Sequence, residues 1–244
     1  MRKQLVIIAS GYVGYELLSW LIKKNSKIFH VFSTDKKDDL QIKSLCLKNK
    51  IKYSNYSKRK ILLVFEKNPP NKFWLISLWN PYILNKKLIT KAYDTLNLHP
   101  SYLPYVRGSD TAAWTLIKRE IAGVSINRLH QKIDCGDIWA RKKIKYKHMT
   151  KGIELYDQMI IEIIMLFKLK WLKIYNKNIK LIKNTCKSFS KSRNDTNKDR
   201  IIYWNKSYKA SELINKILAH DFSDKSSALL RYKSKKYKIR IQFD

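Results

Sequence analysis

The first apolar run is the sequence feature that most constrains the fold. Residues 3–9, KQLVIIA, form a short continuous apolar stretch with β-branched members, which is typical of a strand buried on both faces of a parallel sheet. Gly11 and Gly14 then mark a turn, and apolar residues recur at helical spacing after it. A strand, a glycine turn and a helix predict the opening of a doubly wound α/β sheet. The G-x-x-G spacing differs from the dinucleotide fingerprint G-x-G-x-x-G, so no NAD site is predicted.

Predicted strands and helices alternate through the next part of the chain. We expect strands at 28–33, 73–78, 124–129 and 137–144, helices at 38–50, 85–93, 110–119 and 151–175, and a further short element at 61–65. This order predicts a Rossmann-like, mostly parallel sheet flanked by helices over residues 1–175. Residues 176–244 are expected to form a polar stretch (176–200) with a strand fragment at 179–182 plus a linker, and a small C-terminal α+β appendage that ends in a β-hairpin.

Three polar residues stand out at predicted strand ends and turns. Asn97 and His99 are two apart in an alternating run, so their side chains share one face of the sheet. Pro100 ends that strand, because it has no N–H to give to the ladder. Asp134 follows 35 residues after His99, in the turn Asp134-Cys135-Gly136-Asp137. An amide, an imidazole and a carboxylate brought together suit polar catalysis at an acyl carbon.

A longer set of short motifs surrounds these residues. Asn97-Leu98-His99-Pro100-Ser101 is followed by Leu103-Pro104, Arg107-Gly108, Trp114, Gly123-Val124-Ser125 and Asp134-x-Gly136-Asp137-Ile138. In order and spacing this region resembles the catalytic core of the folate-dependent formyltransferases. The resemblance implies the formyltransferase fold, with a catalytic domain over residues 1–175, and catalytic roles for Asn97, His99 and Asp134.

The resemblance also implies where the ligands lie. The co-substrate would be N10-formyltetrahydrofolate, with its pterin against two loops that contain Trp79, Tyr82, Leu84, His130, Gln131 and Ile133. The same apolar residues are equally good core residues. Gly11, Tyr12 and Arg107 lie near enough to the expected site to contact the acceptor, although an exposed arginine is more often part of a plain salt bridge. Ser125 and Asn127 are expected to serve ordinary strand packing.

The resemblance also bears on the identity of the acceptor substrate. The first turn lacks the Gly-Ser-Asn phosphate cradle of glycinamide ribonucleotide formyltransferases, and the C-terminal segment resembles the one that closes sugar-modifying family members. The resemblance therefore implies an NDP-linked amino sugar, with dTDP-4-amino-4,6-dideoxyglucose for bacterial O-antigen or other surface polysaccharide as the expected case. A methionyl-tRNA formyltransferase-like enzyme is an alternative, but the chain is too short for the extra five-stranded barrel. A basic RNA-binding module on the same fold is a third.

The net charge of +32 has two interpretations. It is the charge of a nucleic-acid binder, but Lys, Ile, Asn and Tyr are abundant while Gly and Pro are scarce, as in a product of an AT-rich genome. About half of the excess, +15, lies in residues 168–244, and the remainder is spread over the rest of the chain. We favour genome composition, so a nucleic-acid partner is not expected, and attraction of an anionic substrate is a consequence.

The remaining expectations concern location, metals and assembly. The residues after Met1 and Arg2 are interpreted as a strand rather than a signal peptide, and Cys46, Cys135 and Cys186 form no C-x-x-C pair. We therefore expect a cytoplasmic protein without a disulfide framework and without a metal site. No apolar run has transmembrane length. A C-terminal hairpin is an edge that can pair with its own copy, so a homodimer through this hairpin is one expectation.

Overall fold

The computed structural model describes residues 3–34, 36–188 and 190–243. Met1, Arg2 and the other omitted positions lie outside this part of the chain. By contacts the chain divides into two interleaved compact units. The first comprises Met1–His99, Ile126–Ala140 and Ile163–Asn184, and the second comprises Pro100–Ser125, Arg141–Glu162 and Thr185–Asp244. This division differs from the predicted boundary after residue 175, which stays a prediction about sequence organisation.

A seven-stranded sheet lies mostly in the first unit. Its strands are β1 (Gln4–Ala9), β2 (Ile28–Ser33), β3 (Tyr53–Asn55), β4 (Phe73–Leu78), β5 (Asp94–His99), β7 (Gly123–Asn127) and β8 (Ile138–Lys143). Strands β7 and β8 have residues in both units. The order is β3-β2-β1-β4-β5-β7-β8. The pairs β1–β2, β1–β4, β2–β3 and β4–β5 are all parallel. The predicted α/β class with a mostly parallel sheet is thus confirmed, and strand β4 is fully buried, which explains why it is apolar except at Ser77.

Helices connect these strands as the sequence pattern predicts. They are α1 (Gly11–Lys23), α2 (Leu40–Lys48), α3 (Lys58–Glu66) and α4 (Lys86–Lys91). The short element expected at 61–65 is the helix α3, whose first turn is capped when the Ser57 side chain accepts from the Lys60 N–H. Ile61 and Phe65 of α3 pack with Leu84 and Leu88 in one core cluster.

The second unit contains most of the remaining elements. These are β6 (Arg107–Gly108), α5 (Thr111–Lys118), β9 (Ser190–Lys191), α7 (Arg193–Asp199), β10 (Ile201–Tyr203), α8 (Ala210–Ala219), β11 (Ala228–Tyr232) and β12 (Lys235–Ile239). The helix α6 (Gly152–Tyr175) has residues in both units. Strands β10, β11 and β12 form a separate three-stranded sheet, in which β11 and β12 are the predicted hairpin.

Part of the stretch expected to be a linker is helical. Residues 176–200 contain α7, which begins with a capping box: the Ser192 side chain accepts from the Asp195 N–H, and the Asp195 carboxylate accepts from the Ser192 N–H. The S-x-x-D signature for this helix start is present in the sequence. The linker interpretation was wrong for Arg193–Asp199, because a polar composition does not exclude a helix that begins with a capping box. The other expected element of this stretch, a strand near 179–182, is reduced to a single bridge between Ile182 and Ile138.

Two general expectations can be compared with the described residues. None of the helices in this part of the chain, the 24-residue α6 included, is long and apolar enough to cross a bilayer. The expectation of no disulfide was wrong, because Cys135 and Cys186 are both disulfide-bonded. Spacing along the sequence does not report proximity in space. Cys46 is a free buried thiol, and burial raises its pKa to about 12.

Candidate active site

Asn97 and His99 occupy the last half of β5. The parallel register places Asn97 directly beside Ser77 of β4. His99 is the final residue of the strand and is only 4% exposed. In open α/β sheets the carboxyl ends of the strands are the usual ligand-binding edge. The structure therefore places the amide and the imidazole on one face at such an edge.

The side-chain amide of Asn97 is oriented by two neighbours. Ser77 Oγ donates a 2.8 Å hydrogen bond to Asn97 Oδ1, and Asn97 Nδ2 donates a longer bond of 3.4 Å to Asn127 Oδ1. Asn127 is itself held, because its Nδ2 donates 2.9 Å to the Arg128 carbonyl. A primary amide has two N–H groups, so this arrangement leaves a second Nδ2 hydrogen that can donate to a bound group.

Asp134 is the acidic partner of His99. The distance from His99 Nδ1 to Asp134 Oδ2 is 3.5 Å, and the side chains are 5% and 13% exposed. This separation is within ion-pair range but longer than a strong hydrogen bond. Asp134 has φ 52, a left-handed conformation that aspartate tolerates better than most residues. The turn predicted around Asp134 thus brings its carboxylate to the Nδ1 side of the imidazole.

A distant asparagine holds this turn. Asn184 Nδ2 donates to the carbonyl oxygens of Asp134 (2.8 Å) and Gly136 (3.1 Å), and the Asn184 N–H donates 3.2 Å to Asp137 Oδ1. Gly136 is required for a steric reason, since a Cβ there would lie 2.0 Å from the Arg128 carbonyl oxygen. The position of Asp134 therefore depends on Asn184 and Gly136.

Two loops carry the residues predicted to contact folate. After β4, Trp79 has φ 65, which is uncommon for an aromatic residue and typical of a constrained loop. Tyr82 is 39% exposed, and its ring stacks on Tyr56 at 4.1 Å. Burial, followed by the neighbouring Tyr82, raises the pKa of Tyr56 to about 12. Leu84 is a core residue with 5% exposure.

The backbone around Tyr82 is already partly engaged. Asn80 Nδ2 donates 2.7 Å to the Tyr82 carbonyl, and the Tyr82 N–H donates 3.1 Å to Asn80 Oδ1. On the second loop, His130 and Gln131 are exposed and Ile133 is 38% exposed. Exposed apolar and aromatic edges on both loops fit a planar heterocycle, whereas Leu84 could contribute only through its backbone.

The turn after β1 donates hydrogen bonds to a buried carboxylate from elsewhere in the chain. The Asp39 carboxylate is 1% exposed and accepts from the Gly11 N–H at 2.6 Å, from Ser10 Oγ at 3.1 Å and from the Thr34 N–H at 3.0 Å. It thus occupies the position at the start of α1 where a ligand phosphate would bind in other α/β proteins. Because the Gly11 N–H already donates to Asp39, the structure lends no support to an acceptor contact through it. Tyr12 remains 65% exposed beside this turn.

Arg107 belongs to the second unit and has a structural contact. It is 8% exposed, and its Nε donates to the carbonyl oxygen (2.9 Å) and the hydroxyl (3.2 Å) of Ser188. The paired strands β6 and β9 lie beside this contact, with Arg107 opposite Ser190. The guanidinium therefore holds the chain near β9, and a role toward the acceptor stays a prediction.

The described residues offer no cluster of three or more His, Cys, Asp and Glu side chains suited to a metal ion. What the site offers instead is a positioned amide donor, an imidazole and a carboxylate. Sequence reasoning assigned no role to Ser77 or Asn184 and treated Asn127 as ordinary packing. Ser77 could have been found from the strand register, since polar residues are rare in a strand as apolar as β4, whereas nothing in the sequence signals the return of Asn184 to the Asp134 turn.

The protein is thus an α/β protein with an open, mostly parallel sheet and a polar site at the carboxyl end of one strand. The sequence profile of the formyl transferase family matches residues 79–161, which include Asn97, His99 and Asp134. This match assigns the segment 79–161, about a third of the chain, to the formyl transferase family.

Relatives of known sequence agree with this assignment. The bifunctional polymyxin resistance protein ArnA of Wigglesworthia glossinidia brevipalpis is 28% identical over 229 residues, which cover 88% of this chain and 34% of ArnA. A methionyl-tRNA formyltransferase of Mycoplasma pneumoniae is 35% identical over 31% of this chain and 25% of its own length. For the GDP-perosamine N-formyltransferase of Brucella melitensis the identity is 33%, over 27% of this chain and 26% of that protein. The matches thus span between a quarter and about a third of these relatives.

Solved structures show the same fold over nearly the whole chain. A 4-N formyltransferase from Francisella tularensis superposes with a TM-score of 0.83 and 16% identity, covering 100% of this chain and 98% of that one. The N-formyltransferase from Helicobacter canadensis, in complex with folinic acid and dTDP-3-aminofucose, gives a TM-score of 0.74 at 20% identity, covering 97% of this chain and 86% of the other.

Proposed function

We propose that this chain transfers a formyl group from N10-formyltetrahydrofolate to the amino group of a nucleotide-linked amino sugar. The observation that carries the proposal is the arrangement of Asn97, His99 and Asp134 at the end of β5, within the segment that matches the formyl transferase family. The co-substrate supplies an activated formyl group, and the residues of the chain supply binding and proton transfer.

Asn97 is the proposed donor to the oxyanion. Attack of the amine on the formyl carbon forms a C–N bond and places negative charge on the formyl oxygen. With Oδ1 tied to Ser77, the Nδ2 of Asn97 is the end of the amide that faces this charge as a donor. Loss of one such donor typically lowers the rate roughly 10²–10³-fold.

His99 and Asp134 are the proposed proton-transfer pair. The amine loses a proton as the new C–N bond forms, and N10 of the folate gains one as the old C–N bond breaks. With Asp134 on the Nδ1 side, His99 would exchange a proton through Nε2, and Asp134 would stabilise the imidazolium. Acid–base help of this kind contributes roughly 10²–10⁴ in rate.

The loops after β4 and β7 are the proposed folate site. The half-buried Trp79 and the exposed Tyr82 and Ile133 would contact the pterin, with His130 and Gln131 at the rim. Leu84 would contribute only its backbone, because its side chain lies in the core.

The identity of the acceptor sugar is a more specific proposal. We propose a dTDP-linked 4-amino-4,6-dideoxy sugar for O-antigen or another surface polysaccharide, made in the cytoplasm. Its support is that the similar enzyme from Helicobacter canadensis is described with dTDP-3-aminofucose and the Brucella relative with GDP-perosamine. Tyr12 and Arg107 are the proposed acceptor contacts, of which Tyr12 is the more accessible.

A second candidate is formylation of a charged initiator tRNA. It is favoured by the 35% identity to a methionyl-tRNA formyltransferase and by the net charge of +32. The two candidates differ in acceptor and share the chemistry at Asn97, His99 and Asp134.

An acceptor panel tests both. The purified chain is incubated with N10-formyltetrahydrofolate and dTDP-4-amino-4,6-dideoxyglucose, its 3-amino isomer, UDP-4-amino-arabinose, GDP-perosamine or charged initiator tRNA, and products are identified by mass spectrometry. We expect a mass gain of one formyl group on a sugar nucleotide, lost in His99→Ala. Formylation of tRNA alone supports the second candidate, and the absence of a formylated product with every acceptor contradicts both.

The homodimer through the C-terminal hairpin is retained as a proposal with weaker support. Strand β12 is an edge of its sheet, but it carries Lys235, Lys236 and Lys238, and charged edges resist pairing. A monomeric mass in light scattering would contradict it.

A further inference from the structure

One face of the small sheet is cationic and aromatic. The register aligns Tyr203 of β10, Arg231 of β11 and Lys236 of β12 in one row. Directly paired residues share a face, and Ile202, Ala228 and Leu230 form the opposite face against Ile217 of α8. The row Tyr203–Arg231–Lys236 is therefore directed away from the core, and we call this side the outer face.

The outer face has uncompensated charge. Arg231 and Lys236 are direct cross-strand partners, and like charges in such pairs destabilise a sheet. Lys238 follows two positions later on the same side. Among the described residues, none of the recorded ion pairs gives Arg231, Lys233, Lys236 or Lys238 a carboxylate partner. A bound anion would relieve this repulsion.

Aromatic side chains lie where the same strands end. Because side chains alternate along a strand, Tyr232 is on the side of Leu230, opposite Arg231. Trp204 is 67% exposed, far more than is usual for tryptophan, and its ring meets Tyr232 edge-on at 5.2 Å. The Trp204 N–H donates 3.1 Å to the Arg231 carbonyl, which fixes the backbone beside the row. A cavity of about 360 Å³ is lined by Tyr203, Trp204, Asn205, Arg231, Tyr232 and Lys233, within the size range of ligand sites.

We propose that this cavity binds a nucleoside phosphate, with the base against Trp204 and Tyr232 and the phosphate against Arg231 and Lys233. Base stacking on aromatic side chains next to cations is how proteins hold nucleotides without reading their sequence. The free nucleotide and a unit of single-stranded nucleic acid share this chemistry. The proposal does not depend on the formyl transfer proposed above, since it uses none of the same residues.

Binding to the full chain is measured without folate, by calorimetry for UMP and by fluorescence anisotropy for a labelled ten-residue oligouridylate. The variants are Trp204→Ala and Arg231→Gln, with Trp204→Phe as the conservative replacement. Tyr105→Ala and Lys58→Gln remove an exposed tyrosine and an exposed lysine elsewhere and serve as matched controls. Circular dichroism checks that each variant is folded.

We expect Trp204→Ala to weaken binding about tenfold or more and Trp204→Phe to restore most of it. Arg231→Gln should weaken binding and lower the salt dependence of the oligonucleotide affinity by about one phosphate contact. If UMP binds and the variants weaken its binding, a free nucleotide is sufficient as the ligand. If only the oligonucleotide binds and the variants weaken that binding, the ligand is a single strand. Absence of binding in both arms, binding indifferent to these variants, or equal losses in the controls would overturn the proposal.

Discussion

Ser77 donates a 2.8 Å hydrogen bond to Asn97 Oδ1 across the paired strands β4 and β5. Because Ser77 is 1% exposed, no water replaces this bond easily, and it fixes which end of the amide can act as a donor. The orientation of the proposed oxyanion donor is thus set by a residue that need not touch the substrate.

We predict that Ser77→Ala lowers kcat about tenfold with little change in KM, because the amide of Asn97 can then rotate. The loss should largely disappear in an Asn97→Ala background, where there is no amide to orient. Ser33→Ala, which removes another buried serine hydroxyl, is the control and should keep kcat near the wild-type value. An equal loss from Ser77→Ala in both backgrounds would mean that Ser77 acts through general stability.

Asn184 is expected to act through the Asp134 turn. Asn184→Ala removes the donors to the Asp134 and Gly136 carbonyls, so we predict a loss of about tenfold in kcat in wild type and little further loss in Asp134→Asn. Steady-state kinetics of the two single variants and the double variant measure this coupling. Asn215→Ala, which removes a side-chain bond to the Leu116 carbonyl, is the matched control. Full additivity would argue against the positioning role.

Replacement of two glycines by alanine should lower the free energy of unfolding by different amounts. Gly136→Ala places a Cβ 2.0 Å from a backbone oxygen, so we expect a loss of about 3 kcal/mol in the free energy of unfolding. Gly11→Ala meets no atom closer than 4.0 Å and bears only the strain of φ +60, about 1–2 kcal/mol. Urea denaturation of both variants tests the order, and a larger loss for Gly11→Ala would be inconsistent with this packing.

Asp199 should make stability depend on pH. Burial raises the pKa of Asp199, but the hydrogen bond from His220 and the charge of Lys216 outweigh it, and the net pKa lies below its ordinary value. A carboxyl with a lowered folded-state pKa stabilises the fold above its unfolded pKa of about 3.9 and loses this contribution as pH falls through the folded pKa. We predict that Asp199→Asn costs about 1–3 kcal/mol at pH 7 and that the difference from wild type shrinks below about pH 4. Urea titrations from pH 7 to pH 3 measure it, and a constant difference would count against the assignment.

The sequence predicted the strands and helices of the α/β sheet well because their cues are local. Strands β2 and β4 match the predicted bounds 28–33 and 73–78, since buried parallel strands are continuous apolar runs between turn residues. The helix α7 was missed because all seven of its residues are polar, so it has no apolar periodicity by which a helix could be predicted.

The proximity of Asn97, His99 and Asp134 was predictable in part. The two-residue spacing and the family motifs indicated it, and the structure places His99 and Asp134 3.5 Å apart. The supporting contacts of Ser77 and Asn184, and the Asp39 carboxylate at the Gly11 N–H, could not be predicted in this way. They join residues 20 to 50 positions apart, and periodicity carries no information about which distant side chains meet.

The rate of a single turnover tests the central claim most directly. Enzyme in excess over N10-formyltetrahydrofolate and the sugar nucleotide that the panel identifies is followed by quench and mass spectrometry, for wild type, Asn97→Ala, His99→Ala, Asp134→Asn and the triple variant. We predict that Asn97→Ala and His99→Ala each slow formyl transfer roughly 10²–10³-fold. The triple variant should be little slower than the worst single variant, because the three groups serve one step. Transfer at the wild-type rate in His99→Ala and Asn97→Ala would contradict the account.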